Sequence, residues 1–322
     1  MGVVDMSSDK LIFVANTGED TISIVDANKK KEIDRLDLMS MVRINGSQTS
    51  TRPVIGPYSL KINPQEKVLY SVNCYNNSLF IIDIFKKKII NTIGLASYPC
   101  EIDVDWQKEI AYITNGDSNS LSIVDLNNNG LISQLILGEL PQGLIFANKT
   151  NRLYVANMYE DKISVIDCNE NTILKEIPVE SCPSYLLLSP NQEILYVSNS
   201  HMDSDKGGSI AIFNILENKL IKKIRVGKIP RQMTMSPGGD YLYIVNSTSN
   251  SISIVSLREG REIKRIQTDN MPRGITIDKN GKNLYTSNIG ANSISLISLE
   301  EERLIANTKI GKSPNGIGIM EN

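Results

Sequence analysis

The sequence predicts an all-β, seven-bladed β-propeller built as one domain over residues 1–322, and three repeated markers predict it. The first is a short apolar strand closed by asparagine: LIFVAN (11–16), LYSVN (69–73), AYITN (111–115), LYVAN (153–157), LYVSN (195–199), LYIVN (242–246) and LYTSN (284–288). The second is an alternating strand such as TISIVD or SLSIVD, ending ten residues after that asparagine in every unit but the fifth, where five more residues intervene. The third is a proline that opens a short apolar strand, at Pro57, Pro99, Pro141, Pro183, Pro230, Pro272 and Pro314, spaced 42, 42, 42, 47, 42 and 42 residues apart. Three markers keep one register seven times, and a period near 42 residues is the length of a propeller blade.

Each unit reads as four strands. In the unit opened by Pro272 these are 274–278, 283–287, 293–297 and 303–306, each alternating or β-branched and each bounded by turn residues such as those at 279–281 and 290–292. No stretch carries a helical period of useful length. The 45 isoleucines against 9 alanines agree, since branching at Cβ restricts rotamers in a helix and packs well on a pleated surface. Four strands per unit, repeated seven times, make a propeller rather than a solenoid.

The ring has to close. The chain begins with a second strand at 11–16 and ends, at 312–320, with an inner strand that has no later partner. The C-terminal strand is therefore expected to complete the first blade, removing an exposed sheet edge. Residues 2–5 (Gly-Val-Val-Asp) compete for the same slot but lack the Pro-Asn-Gly motif found at Pro314.

Composition narrows the class. Lys plus Arg (34) nearly balances Asp plus Glu (36), which argues against a general affinity for nucleic acid or acidic membranes. No apolar run approaches the length that spans a bilayer, and residues 1–10 lack the basic and apolar regions of a signal peptide, so a cytoplasmic location is expected. Cys74, Cys100, Cys168 and Cys182 show no CxxC spacing and read as reduced thiols. No metal, cofactor or transmembrane segment is expected, and the chain is expected to be a monomer.

The repeat strings, AYITN (111–115) and LYVAN (153–157) above all, resemble the YVTN β-propeller repeat family over essentially the whole chain. That resemblance implies the seven-bladed architecture and leaves activity open. It includes surface-layer and other binding propellers, and the wider group of similar propellers includes lactonases, lyases and cofactor-bearing enzymes.

Propellers bind ligands where loops converge on one mouth of the central channel. Both departures from the 42-residue period fall on that face, fifteen extra residues within 39–56 and five within 201–208. The residue after each recurrent proline is expected to point there: Tyr58, Cys100, Gln142, Ser184, Arg231, Arg273 and Asn315, which vary while their neighbours repeat. Tyr58, Gln142, Arg231, Arg273, Asn315 and the inserted His201 are the candidate ligand-binding residues. The guanidinium forks of Arg231 and Arg273, in adjacent blades, suit a carboxylate or phosphate, with Arg43 and Arg52 of the long insertion as candidate additions. The alternative is that each arginine pairs with an acid such as Glu101, Asp269 or Asp203. The repeated asparagines and the aspartates at 26, 83, 125 and 167 read as turn residues, Trp106 as packing, and the lysine runs at 29–31 and 86–88 as solvated surface.

Little chemistry is written in the motifs. No GxSxG, HExxH or P-loop occurs. The single histidine, His201, stands with Met202, Asp203 and Asp205 in a loop that makes a poor metal cage. Cys74, Cys100 and Cys182 lie near the mouth by register, but a thiol nucleophile wants a base beside it. The sequence therefore points to a non-catalytic binding or scaffolding propeller that takes a small anion or a protein partner at the mouth, rather than to an enzyme. The alternative is a lactonase-like hydrolase, or another propeller enzyme, acting on a small anionic substrate, with Glu101 or His201 as base.

Overall fold

Both faces of every second strand must be buried for the repeat to work, and the structure shows how. In Lys10–Asn16 the side chains of Leu11, Phe13 and Ala15 pack toward the following blade, against Leu69 and Phe80, while Ile12 and Val14 pack toward the preceding one, against Tyr285 and Ile294. A strand covered on two sides reads as a continuous apolar run instead of an alternating one. The computed structural model describes residues 10–42, 54–202 and 207–321. It contains seven four-stranded antiparallel sheets, and a separate apolar cluster fills each of the seven gaps between neighbouring sheets. This is the seven-bladed propeller, with one five-residue helix, Leu38–Val42, opening the long insertion.

The seven inner strands are Pro57–Asn63, Pro99–Asp105, Pro141–Ala147, Pro183–Leu188, Pro230–Met235, Pro272–Ile277 and Pro314–Glu321. The last of these pairs antiparallel with Lys10–Asn16, so the C-terminal strand takes the inner place of blade 1 and closes the ring. Residues 2–5 lie outside the described residues, as do Arg43, Arg52, Asp203 and Asp205. We number the blades in chain order, so that Pro57 opens blade 2 and Pro272 blade 7.

The recurrent asparagines form an inner polar seam. Asn16, Asn73, Asn115, Asn157, Asn199, Asn246 and Asn288 are all fully buried. Their amide groups donate to hydroxyls of the third strand, as in Asn16 to Thr21 (2.9 Å) and Ser23 (2.8 Å) and Asn288 to Ser293 (3.1 Å) and Ser295 (2.9 Å). Backbone partners, which suit a turn asparagine, also occur: Asn115 and Asn246 donate to the carbonyls of Ser120 and Ser251, both at 3.4 Å, but most of the bonds go to side chains one strand away. The turn aspartates behave as read: Asp26 accepts from the backbone N–H groups of Asn28 and Lys29, both at 2.9 Å. Trp106 lies tilted against Tyr70 at 6.0 Å and keeps an exposed face.

Blades are also stitched through backbone. In six of the seven junctions an Asn or Asp from the turn after one blade's second strand accepts a hydrogen bond from the N–H of the residue that precedes the next proline. The acceptors are Asp20, Asn77, Asn119, Asp161, Asn250 and Asn292, at 2.8–3.0 Å. The carbonyl of that same pre-proline residue accepts from the next blade's turn, as in Gly116 to Tyr98 at 2.8 Å. Asp20 does more, taking the N–H groups of Val54, Ile55 and Gly56 together, which anchors the return of the long insertion.

Candidate functional site

Each inner strand carries a β-bulge just after its proline. The pairing register slips between Pro57 and Ser59, between Pro230 and Met233, between Pro272 and Ile275, and at the equivalent place in the other four blades. A bulge re-aims a side chain out of the ladder, and here it turns one residue per blade into the channel. The pocket at that mouth is lined by the two residues after every proline, including Tyr58 with Ser59, Cys100 with Glu101, Arg231 with Gln232 and Arg273 with Gly274. Its free space is about 40 Å³. One water needs ~10–15 Å³ of such space, so the pocket holds a few waters or the head group of an anion.

Five of the six predicted residues, Tyr58, Gln142, Arg231, Arg273 and Asn315, line this one pocket. His201 does not, and its expected place at the mouth is corrected. Its Nε2 lies 3.3 Å from Glu180 Oε2 and 3.2 Å from Ser209 Oγ, in a separate pocket lined also by Lys223 and Arg225. Serine, histidine and carboxylate meet there, but both partners address the same ring nitrogen. A relay needs the carboxylate on the other nitrogen, so this cluster is structural.

The electrostatics of the pocket are lopsided. Neither Arg231 nor Arg273 makes an ion pair among the described residues; Asp269, one expected partner, accepts from Ser293 at 2.8 Å, and Glu101 accepts from Ser59. Arg231 Nε is buried without any hydrogen-bond partner. Burial, and then the neighbouring Arg273 charge, push the Arg231 guanidinium down to about 10. Arg273 donates to the Tyr58 hydroxyl and stands 5.2 Å over the Tyr58 ring, while burial pushes that phenol up. Asn315 donates to Thr17 at 2.8 Å and leaves its own buried carbonyl oxygen without a partner. Two half-buried guanidinium groups from adjacent blades therefore face a pocket whose lining carboxyl, Glu101, is engaged by Ser59 rather than by either arginine.

Across the pocket, burial raises the Glu101 carboxyl above its ordinary range, against the opposing pull of the Ser59 hydroxyl and the Ile102 N–H at 3.3 Å. One layer below, Lys61 pairs with Asp103 at 2.6 Å; burial works against the Lys61 charge, but Asp103 outweighs it and holds the ammonium above its usual value. The thiols are quiet. Burial pushes Cys74 and Cys100 each up to about 12 and Cys168 to about 11, which suppresses the thiolate a nucleophile needs. No three His, Cys, Asp or Glu side chains among the described residues are grouped to hold a metal ion, and no described helix is long and apolar enough to cross a membrane.

Glu101, read from the sequence as a candidate base at the mouth, does line the pocket, whereas Ser59, Tyr185 and Gln232 were missed. The second position after each proline is the signal that finds them, because the bulge brings two consecutive residues to the channel instead of one.

The rim above the pocket has a conformational signature. All seven pre-proline residues adopt left-handed φ values of 49–63°: Gly56, Tyr98, Leu140, Cys182, Ile229, Met271 and Ser313. Only glycine takes this conformation freely, and other residues pay about 1–3 kcal/mol for it. Ile229, β-branched, is the costliest type for that region.

Comparison with known proteins agrees with the fold. A family model described as "Lactonase, 7-bladed beta-propeller" matches residues 141–272, fewer than half of the 322 in the chain. No curated protein sequence matches. Among solved structures, a protein of unknown function from Desulfotomaculum acetoxidans is 12% identical with a TM-score of 0.80, covering 97% of this chain and 99% of that one. A candidate 6-phosphogluconolactonase from Bacteroides fragilis is 16% identical at a TM-score of 0.77, covering 98% and 99%. Hydrazine synthase of Kuenenia stuttgartiensis is 17% identical at 0.76, covering 87% and 99%. The resemblance read from the repeat strings thus holds at the level of a seven-bladed propeller, and not of the YVTN repeat in particular.

Proposed function

We propose that this propeller is a lactonase-like hydrolase whose substrate is a small anion, held at the axial pocket by Arg231 and Arg273. The observation that carries the reading is the pair of half-buried guanidinium groups without an acidic partner among the described residues, one of them with a buried, unpaired Nε. Buried cations are normally matched by a carboxylate or a ligand, and bidentate carboxylate or phosphate recognition is what the guanidinium fork does best. The match of residues 141–272 to a lactonase model favours ring opening over mere binding.

In that reaction water attacks the lactone carbonyl carbon, the bond to the ring oxygen breaks, and a hydroxy acid leaves. Glu101, whose burial moves its carboxyl toward neutral pH, accepts the proton from water and returns it to the departing ring oxygen. The amide of Gln142 and the hydroxyl of Tyr58 line the same pocket as candidate donors to the developing oxyanion.

The second reading, binding without turnover, rests on Glu101 being already engaged by Ser59 and the Ile102 N–H. A panel of anionic lactones followed by proton release separates the two. Hydrolysis that drops at least ~100-fold in Glu101→Gln while binding persists supports catalysis. Saturable binding with no hydrolysis of any lactone selects the binding reading, and loss of nothing in Arg231→Gln/Arg273→Gln sinks both.

A further inference from the structure

We infer that the ligand of the axial pocket is an anion bearing an apolar group, such as an aryl carboxylate or aryl phosphate, with the charged head on the arginines and the apolar part against a collar around the mouth. The inference rests on the anion reading of the pocket given above and adds what surrounds it. Four collar members, Tyr98, Leu140, Ile229 and Met271, sit two residues before the pocket-lining Cys100, Gln142, Arg231 and Arg273. Two more come from turns: Tyr75, whose ring lies over Gly56 so closely that a Cβ there would meet its Cδ2 at 2.5 Å, and Tyr159, which lies within electrostatic reach of Arg231.

Two of these side chains, Tyr98 and Leu140, stand against residues that line the pocket. Tyr98 meets Tyr58 edge to face at 5.9 Å. Atoms of Tyr98, Leu140 and Cys100 all come within 3.5 Å of where a Cβ on Gly116 would stand, so two collar members converge above a lining residue. Yet the collar is not a finished core: Tyr75, Tyr159 and Met271 remain 49%, 62% and 42% exposed. The left-handed backbone at the pre-proline position suits glycine, but glycine appears only at Gly56, where Tyr75 fills the space instead. Large side chains thus occupy four of the seven strained pre-proline positions, Tyr98, Leu140, Ile229 and Met271, where a small residue would fold more easily.

Size makes the division of labour plain. The pocket's free space of about 40 Å³ suits a head group or a few waters, so a larger ligand extends beyond it to the rim where Tyr98 and Leu140 stand. A sugar phosphate would set hydroxyls against this apolar ring and leave them without partners; an aryl group would bury carbon on carbon.

Calorimetric titration of the full chain at fixed ionic strength, with inorganic phosphate, phenyl phosphate and glucose 6-phosphate, tests this. Phenyl phosphate is expected to bind at least about tenfold tighter than phosphate, and glucose 6-phosphate no tighter than phosphate. In Leu140→Ser/Met271→Ser the aryl preference should fall to within about threefold while phosphate affinity stays put, which also shows that the variant folds. Equal affinity for phosphate and phenyl phosphate, or a preference for the sugar phosphate, overturns the collar and leaves the arginine site standing. Phosphate binding that is absent, or that survives unchanged in Arg231→Gln/Arg273→Gln, overturns the anion reading and the collar with it.

Discussion

Replacing Arg231 by methionine should make the ligand-free protein more stable. The guanidinium is pushed from its ordinary value of 12.5 to about 10 by burial and by Arg273, and each tenfold change in proton affinity is worth 1.36 kcal/mol, so the charge costs the fold roughly 3 kcal/mol below pH 10. Methionine keeps most of the unbranched stem, and allowing about 1 kcal/mol for imperfect repacking leaves a net gain of about 2 kcal/mol. Urea unfolding at pH 7 reads this directly as a higher midpoint with an unchanged slope. Arg265→Met is the control. Arg265 is an exposed arginine already paired with Glu262 at 2.7 Å, and its loss should move stability by no more than about 0.5 kcal/mol either way. On the proposed anion reading, the stabilisation expected from phosphate in the wild type should be lost in Arg231→Met together with this gain, since one charge is the source of both effects. A midpoint at or below the wild type would refute the reasoning, because it would mean that the cation is already compensated within the fold.

Other outcomes follow from the same geometry. Glu101→Gln should match the wild type in stability at pH 4 and exceed it increasingly at higher pH: the fold favours the protonated carboxyl, so the wild type loses stability as pH rises through the raised value and the amide does not; urea midpoints across pH 4–9 check it. Ellman's reagent at pH 8 should leave Cys74, Cys100 and Cys168 of the native protein unmodified, with all four thiols titrating in guanidinium, because thiols pushed to about 11–12 hold on the order of one part in a thousand or less as thiolate. Asn246→Ala should cost about 2–3 kcal/mol by leaving Ser253 and Ser251 hydroxyls without their buried donor, and Asn246→Asp should cost no less, since a carboxylate brings only acceptors to the same place; thermal unfolding of both variants decides.

The architecture was legible because the period of the repeat is enforced by burial. Asn115 and Asn157 recur at 42 residues because each must reach across to the serines of its own third strand, and Leu11 and Ile12 are both apolar because they face different blades. The closing strand was legible for the same reason: Pro314 carries the inner-strand motif, which residues 2–5 before the second strand at 11–16 lack. The site was legible only in part. Arg231 and Arg273 stood out because they vary where their neighbours repeat. Glu101 was read as a candidate base, but its place beside Ser59 in the lining depends on a bulge that no residue type announces. His201 was misplaced because a register argument fixes the position of a backbone and not the direction of a side chain in an inserted loop, where Glu180 and Ser209 capture it. The left-handed rim was invisible for a related reason: residues before proline ordinarily avoid that region, and here the carboxamides of Asn77, Asn119 and their counterparts hold them in it.

The closing of blade 1 sets the order in which the molecule can be made. Six blades draw their four strands from consecutive stretches of chain, so each can assemble as hairpins while its neighbours are still absent. Blade 1 cannot, since Lys10 meets Glu321 and Val14 meets Ile317, about as far apart in sequence as any contact in the protein. Until Pro314–Glu321 has emerged, the strand Lys10–Asn16 presents a bare row of amide and carbonyl groups, and neighbouring blades have nothing to hold their curvature. An unfinished ring is therefore the state most prone to pair with another chain, and the last inner strand acts as the latch that ends that exposure. The mouth is assembled by the same event, because Asn315 completes the circle of side chains in which Arg231 and Arg273 sit. The circle of lining side chains is therefore complete only once blade 1 has received its inner strand, Pro314–Glu321.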